Sequence, residues 1–98
     1  MTRGIVFRSI ARLEMEDAAA WYEEKQAGLG FDFLRAADET LRRISAQPDL
    51  FPFTREPVRR AVLRRFPCTI HFVNEPDRIV VLAVFHGKRD PRHLDGRD

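Results

Sequence analysis

The apolar residues of this chain change their period once, and that change limits the fold to a small class. Between residues 10 and 47 they recur every three or four positions: Ala11, Met15, Ala18 and Tyr22, then Leu34, Ala37, Leu41 and Ile44. This spacing lines one face of a helix, and it leaves Glu14, Glu16, Glu23 and Glu24 on the wet face. From residue 58 the helical spacing is gone. Residues 58–66, 69–74 and 78–85 are β-branched and aromatic runs, broken at Pro67 and at Glu75-Pro76-Asp77.

Local signals set the expected boundaries. Residues 5–8 form a short apolar run that reads as a strand, and Ser9 is placed to cap the helix after it. The first helix is expected over 10–27, with Gly28 as its stop, because a left-handed residue costs glycine nothing. Gly28-Leu29-Gly30 then makes a tight connection, so the two helices form an antiparallel hairpin. The second helix, with Phe33 and Thr40 beside its apolar face, ends near Gln47, since Pro48 disfavours helical geometry before it. Residues 48–57 hold three prolines with Phe51 and Phe53, and they read as an ordered loop pinned by aromatics. The run 79–85 is apolar without alternation, the pattern of a strand that is central or buried on both faces. Three strands with short turns make an antiparallel meander. The expected fold class is therefore α+β, with a helical hairpin packed on one side of an antiparallel sheet in the order β-α-α-β-β-β.

With 98 residues, 44% of them hydrophobic, the chain has room for one modest core and is read as a single domain, 1–98, with a loose polar tail at 88–98. One cysteine excludes an internal disulfide framework, and no Cys/His spacing suits zinc. No apolar run is long enough for a membrane span, and residues 1–20 lack the apolar centre of a signal peptide. A cytoplasmic protein without metal, cofactor or membrane partner is expected. The net charge of +2 hides an asymmetry: residues 1–13 carry +3, residues 14–49 carry −5 and residues 55–98 carry +4. Two electrostatic faces follow from that division, with the basic half suited to an acidic macromolecule.

The candidate functional groups lie in that basic half. Arg59-Arg60 and Arg64-Arg65 bracket Ala61-Val62-Leu63. Alternation along a strand puts Arg60 and Arg64 on one face with Val62, and Arg59 and Arg65 on the other with Leu63. A guanidinium fork can hold a phosphate or carboxylate through two bonds, although such arginines also serve simply to solvate a sheet face. His86 closes the most apolar strand, with Lys88 and Arg89 directly after it, and imidazole moves protons near neutral pH. A lone histidine at a strand end is more often a structural hydrogen-bond donor. His71 reads as a sheet-face residue, Cys68 as a packed thiol, and Trp21 with Tyr22 as core. Gly28-Leu29-Gly30 follows no strand, so it is not a dinucleotide cradle. The acidic pairs Glu23-Glu24 and Asp38-Glu39 read as solvating charge.

Taken in order, several segments resemble the RelE/ParE superfamily of type II toxin–antitoxin toxins, and its ParE-like, plasmid-stabilisation branch most of all. They are Ala18-Ala19-Ala20-Trp21-Tyr22-Glu23, Gly28-Leu29-Gly30 with Phe33-Leu34, Pro48 with Phe51-Pro52, and Arg59-Arg60. Arg65-Phe66-Pro67 leading into Ile70, and Val84-Phe85-His86-Gly87-Lys88-Arg89-Asp90-Pro91, complete the set. The chain departs from the family where members often carry Tyr, at Cys68 and near Phe72, and no Tyr follows His86.

The resemblance implies an N-terminal strand, a helical hairpin and a curved antiparallel sheet. It implies a growth-arresting toxin that a cognate antitoxin neutralises. On the ParE-like reading the target is DNA gyrase, and the toxin binds without chemistry of its own. Arg59, Arg60, Arg64, Arg65, Lys88 and Arg89 are then the target-binding residues. On the RelE-like alternative the protein is an endoribonuclease that cuts messenger RNA on the ribosome, with His86 and Arg65 as catalytic residues. A third possibility, a non-toxic module that binds nucleic acid or protein, keeps the fold alone.

Overall fold

The computed structural model describes residues 3–87, so Lys88, Arg89 and the expected loose tail lie outside the described residues. The elements are β1 (Ile5–Phe7), α1 (Ser9–Lys25), α2 (Leu29–Ala46), a 3-10 turn at Pro48–Leu50, β2 (Phe53–Arg55), β3 (Val58–Val62), β4 (Cys68–Asn74) and β5 (Ile79–His86). The five strands form one sheet in the order β1-β5-β4-β3-β2. The expected meander is present, β3 to β5 pairing antiparallel, and β2 extends it antiparallel at one edge. At the other edge β1 pairs parallel to β5, with Ile5 opposite Ile79 and Phe7 opposite Val81.

Backbone pairing moves the expected helix start. Arg8 donates its N–H to the Val81 carbonyl at 3.0 Å, so it still belongs to the sheet and stands in extended geometry at the cap position. Ser9 is consequently the first helical residue and caps nothing. The end of α1 also differs from expectation: the helix stops at Lys25, with Gln26 extended at φ −162°. Gly28 does adopt the left-handed conformation, at φ 89°, but as the entry to α2 and not the exit of α1. Glycine offers no side chain to cap that entry. Glu23 does so from the preceding helix, its carboxylate accepting the N–H of Gly28 at 2.9 Å and of Gly30 at 3.0 Å. A carboxylate at a helix N-terminus is worth about 1 kcal/mol, so Glu23 is more than solvating charge. A β-carbon on Gly30 would sit 2.6 Å from the Ala19 carbonyl oxygen, and only glycine lets the helices approach this closely.

One face of α1 is buried as its spacing predicts, through Ala11, Met15, Ala18 and Tyr22. The buried face of α2 is turned from the expected one. It runs through Gly30, Phe33, Ala37, Thr40 and Ile44, while Leu34 is 44% exposed and Leu41 only half-buried. Close approach at Gly30 sets that rotation and brings Phe33 inward. The Thr40 hydroxyl is satisfied inside this face by the Ala36 carbonyl at 3.1 Å. Below the helices lie Ala61, Cys68, Ile70, Phe72, Ile79, Val81 and Val84, which complete one core.

The strand expected over 58–66 ends at Val62. Residues 63–67 turn back to β4, closed by Leu63 N–H to the Cys68 carbonyl at 2.9 Å, with Arg65 left-handed at φ 72°. Residues 48–57 are ordered as expected. Phe51 packs edge-on to Phe72 at 5.8 Å, but the segment also supplies β2, which was read as loop. In β5, Phe72 faces Val81 and His71 faces Ala83, so Leu82 is the extra residue of a bulge. The bulge shifts the alternation by one residue. Ile79, Val81, Val84 and His86 therefore point toward the helices and Leu82, Ala83 and Phe85 away from them.

Candidate functional site

The side of the sheet away from the helices is a broad concavity of about 1150 Å³. Phe53, Thr54 and Arg55 of β2 and Val58 and Arg60 of β3 form one flank. Thr69 and His71 of β4 follow, then Leu82, Ala83 and Phe85 of β5, with Ile10 at the start of α1 beyond them. The His71 and Phe85 rings meet edge-on at 4.6 Å. His71 is thus the sheet-face residue its position predicts.

The four arginines do not share faces as the strand alternation predicts, because β3 stops before Arg64. Arg60 is exposed in the concavity. Arg59 turns to the helix side and is held there. It donates to the Phe51 carbonyl at 2.7 Å, lies 3.6 Å from the Asp49 carboxylate, and places its guanidinium 3.9 Å from the centre of the Phe53 ring. Arg64 leaves the turn toward α2, 3.8 Å from the Glu39 carboxylate, with both groups mostly in water. An ion pair so exposed contributes at most about 1 kcal/mol and does not immobilise the arginine. Arg65 is exposed, its guanidinium 5.4 Å from the Phe66 ring. Arg60, Arg64 and Arg65 are thus exposed, Arg60 on the outer face of the sheet and Arg64 toward α2, while Arg59 anchors the loop before β2.

His86 lies apart from them. It is 7% exposed, packed against the Trp21 ring at 4.8 Å and the Tyr22 ring at 4.7 Å, and paired across the sheet with Cys68. Trp21 in turn carries Lys25 over its face at 4.7 Å. The thiol of Cys68 is pushed from its ordinary 9.0 up to about 12, chiefly by burial, with the Glu14 charge adding and a Thr69 backbone hydrogen bond opposing. A thiol held protonated is a packed side chain and a poor nucleophile. Burial also raises the Tyr22 phenol, helped by Cys68. Glu14, placed on the wet face by its spacing, is half-buried, and its carboxylate accepts the Val84 N–H at 2.8 Å. It satisfies the edge of β5 where β1 has already ended. Among the described residues no group of three or more metal-ligating side chains occurs, and no helix is long and apolar enough to cross a membrane.

Sequence reasoning missed Phe53, Arg55 and Leu82 as walls of the concavity. The prolines around Phe53 masked a strand, and a bulge leaves no mark in a run that is apolar throughout.

No family model matches the sequence, and no curated protein does. The three-dimensional comparison is informative. A chain in a solved structure of the chromosomal ParDE TA system from P. aeruginosa superposes with a TM-score of 0.62 at 14% identity, over 87% of this chain and 96% of that one. The fold is ParE-like. In this ParE-like fold the helical hairpin covers one side of the sheet, and the concavity with Arg60 occupies the other.

Proposed function

We propose that this chain is the toxin of a type II toxin–antitoxin pair. It is a ParE-like cytoplasmic protein that arrests growth by binding DNA gyrase and is silenced by a cognate antitoxin. The observation that carries this reading is the ParE-like fold shared with a chain of a ParDE system, at 96% coverage of that chain. The arrangement of charge supports it. Exposed cations suit binding to an acidic macromolecule, and Arg60, Arg64 and Arg65 are exposed. Lys88 and Arg89, which follow Gly87 in sequence, are assigned to the same contact. Arg59 contributes by holding the loop before β2 against β3. Cleavage of RNA by His86 and Arg65 would instead need an acid/base group within reach of a substrate, and His86 is enclosed by aromatic rings.

Induced expression followed by assays on the purified chain tests the reading. Growth is expected to stop, and gyrase supercoiling to be inhibited with cleaved DNA complexes, while translation in an extract continues. Joint reversal of charge at Arg60, Arg64 and Arg65 is expected to weaken inhibition by about ten-fold or more. Uninhibited growth, or transcripts cut only when ribosomes are present, overturns it.

A further inference from the structure

The end of β5 is held on fewer sides than its start. β4 pairs with the strand from Ile79 to His86, but β1 reaches only to Val81. Beyond that point the edge of β5 is met by α1, where the Glu14 carboxylate accepts the Val84 N–H at 2.8 Å. His86 closes the strand, buried against the Trp21 ring at 4.8 Å and the Tyr22 ring at 4.7 Å. Gly87 then donates to the Pro67 carbonyl at 2.8 Å. The contact between α1 and the last residue of β5 is therefore aromatic packing around an imidazole.

Of the rings in this cluster, only the imidazole takes up a proton near neutral pH, at about 6.5 in water. Neutral, it packs as an aromatic. Charged, it has lost its hydration to a site enclosed by rings, and attraction to a ring face is small beside that loss. The charged and titratable groups that face the cluster add to the imbalance. On α1, Lys25 sits over Trp21 at 4.7 Å, and burial keeps the Tyr22 phenol neutral. On β4, Cys68 pairs with His86 across the sheet and its buried thiol keeps its proton. From the turn at 63–67, Arg65 lies 5.4 Å from the Phe66 ring, which packs edge-on to Tyr22 at 4.9 Å. Glu14, whose charge is felt at Cys68, favours the charged ring, but one of its oxygens is already committed to Val84.

We propose that His86 is an acid-sensitive latch: its neutral ring holds the end of β5 against α1, and protonation releases that end while the rest of the domain stays folded. The latch goes beyond the toxin reading and does not depend on it. Its sign follows from where the proton binds. The open form takes up a proton below about pH 6.5 and the closed form resists it, so the latch is shut above that pH and opens as pH falls.

The chain carries one Trp and one Cys, and both lie beside His86, so they report its opening. The experiment uses the full chain with His71→Gln and His93→Gln, which leaves His86 as the only histidine. Cys68 is labelled with a dipyridyl disulfide, and the rate is corrected for that of free cysteine at each pH. Labelling is expected to quicken by about ten-fold from pH 7.5 to 5.5. Trp21 emission is expected to move to longer wavelength over the same range, with far-UV circular dichroism unchanged. Adding His86→Phe, which keeps a ring and cannot take up a proton, is expected to abolish both changes. His86→Leu replaces it if that variant does not fold. Circular dichroism lost together with the labelling change, a labelling rate that ignores pH, or an equal acid response in the His86 variant overturns the proposal.

Discussion

The two faces of the sheet are built from the same strands and have opposite fates. On the helix side Ala61, Cys68, Ile70, Phe72, Ile79, Val81 and Val84 are all under 5% exposed, and α1 and α2 cover them. On the other side Arg60 and Val62 are exposed and His71, Leu82 and Phe85 half-buried, with no second layer over them among the described residues. The inner face is what folding requires. Apolar groups left on the outer face gain little from folding, so their presence points to association. The contrast separates residues that hold the protein together from residues that face outward.

The largest expected effect breaks the inner face. Phe72 is fully buried, and Phe72→Ala should cost about 3–5 kcal/mol, a large fraction of the stability of so small a domain. Val62, 59% exposed on the outer face, should cost about 0.5 kcal/mol or less as Val62→Ala. Urea denaturation of both variants decides the matter, and equal losses would mean that the faces are not different in kind.

A second expectation follows from the thiol inside the core. The folded state keeps the Cys68 proton to about pH 12, whereas an unfolded thiol loses it near its ordinary 9.0. The unfolded chain therefore binds fewer protons in that window, and stability falls as pH rises. The slope approaches about 1.4 kcal/mol per pH unit before other groups add to it. Tyr22, raised from 10.0, acts in the same direction. Stability measured from pH 8 to 11 should decline more shallowly in Cys68→Ala than in the parent chain. Identical slopes would place the thiol in contact with water.

The smallest effect sharpens the account of the core. The Tyr22 hydroxyl is buried with no hydrogen-bond partner among the described residues. Removing an unsatisfied hydroxyl while keeping the ring is expected to stabilise, so Tyr22→Phe should gain about 1 kcal/mol. A thermal melt that shows a loss would reveal a partner for that oxygen.

Much of this architecture is legible in the residues. Periodicity located both helices and the three meander strands, because burying one face of an element imposes its period directly on the sequence. It also picked out all four residues of the buried α1 face. It misjudged the α2 face, since Leu34 fits the spacing as well as Phe33 does, and contact at Gly30 chose between them. The arginines were found but wrongly sorted. Alternation holds only while the strand lasts, and β3 ends two residues before Arg64. Glu14 and Glu23 looked like solvent charge because their acceptor roles depend on amides far from them in the chain or across a turn.

Local pattern alone determined that a helical hairpin would cover an antiparallel sheet, and that the basic residues would gather in the second half. Only tertiary structure decided which arginine faces outward, where the bulge at Leu82 falls, which residues line the concavity, and that His86 would be walled in by Trp21 and Tyr22. The reason is range. Hydrophobic period and turn chemistry act over a few residues, whereas strand ends, bulges and helix rotation are set by contacts that form only once distant segments have met.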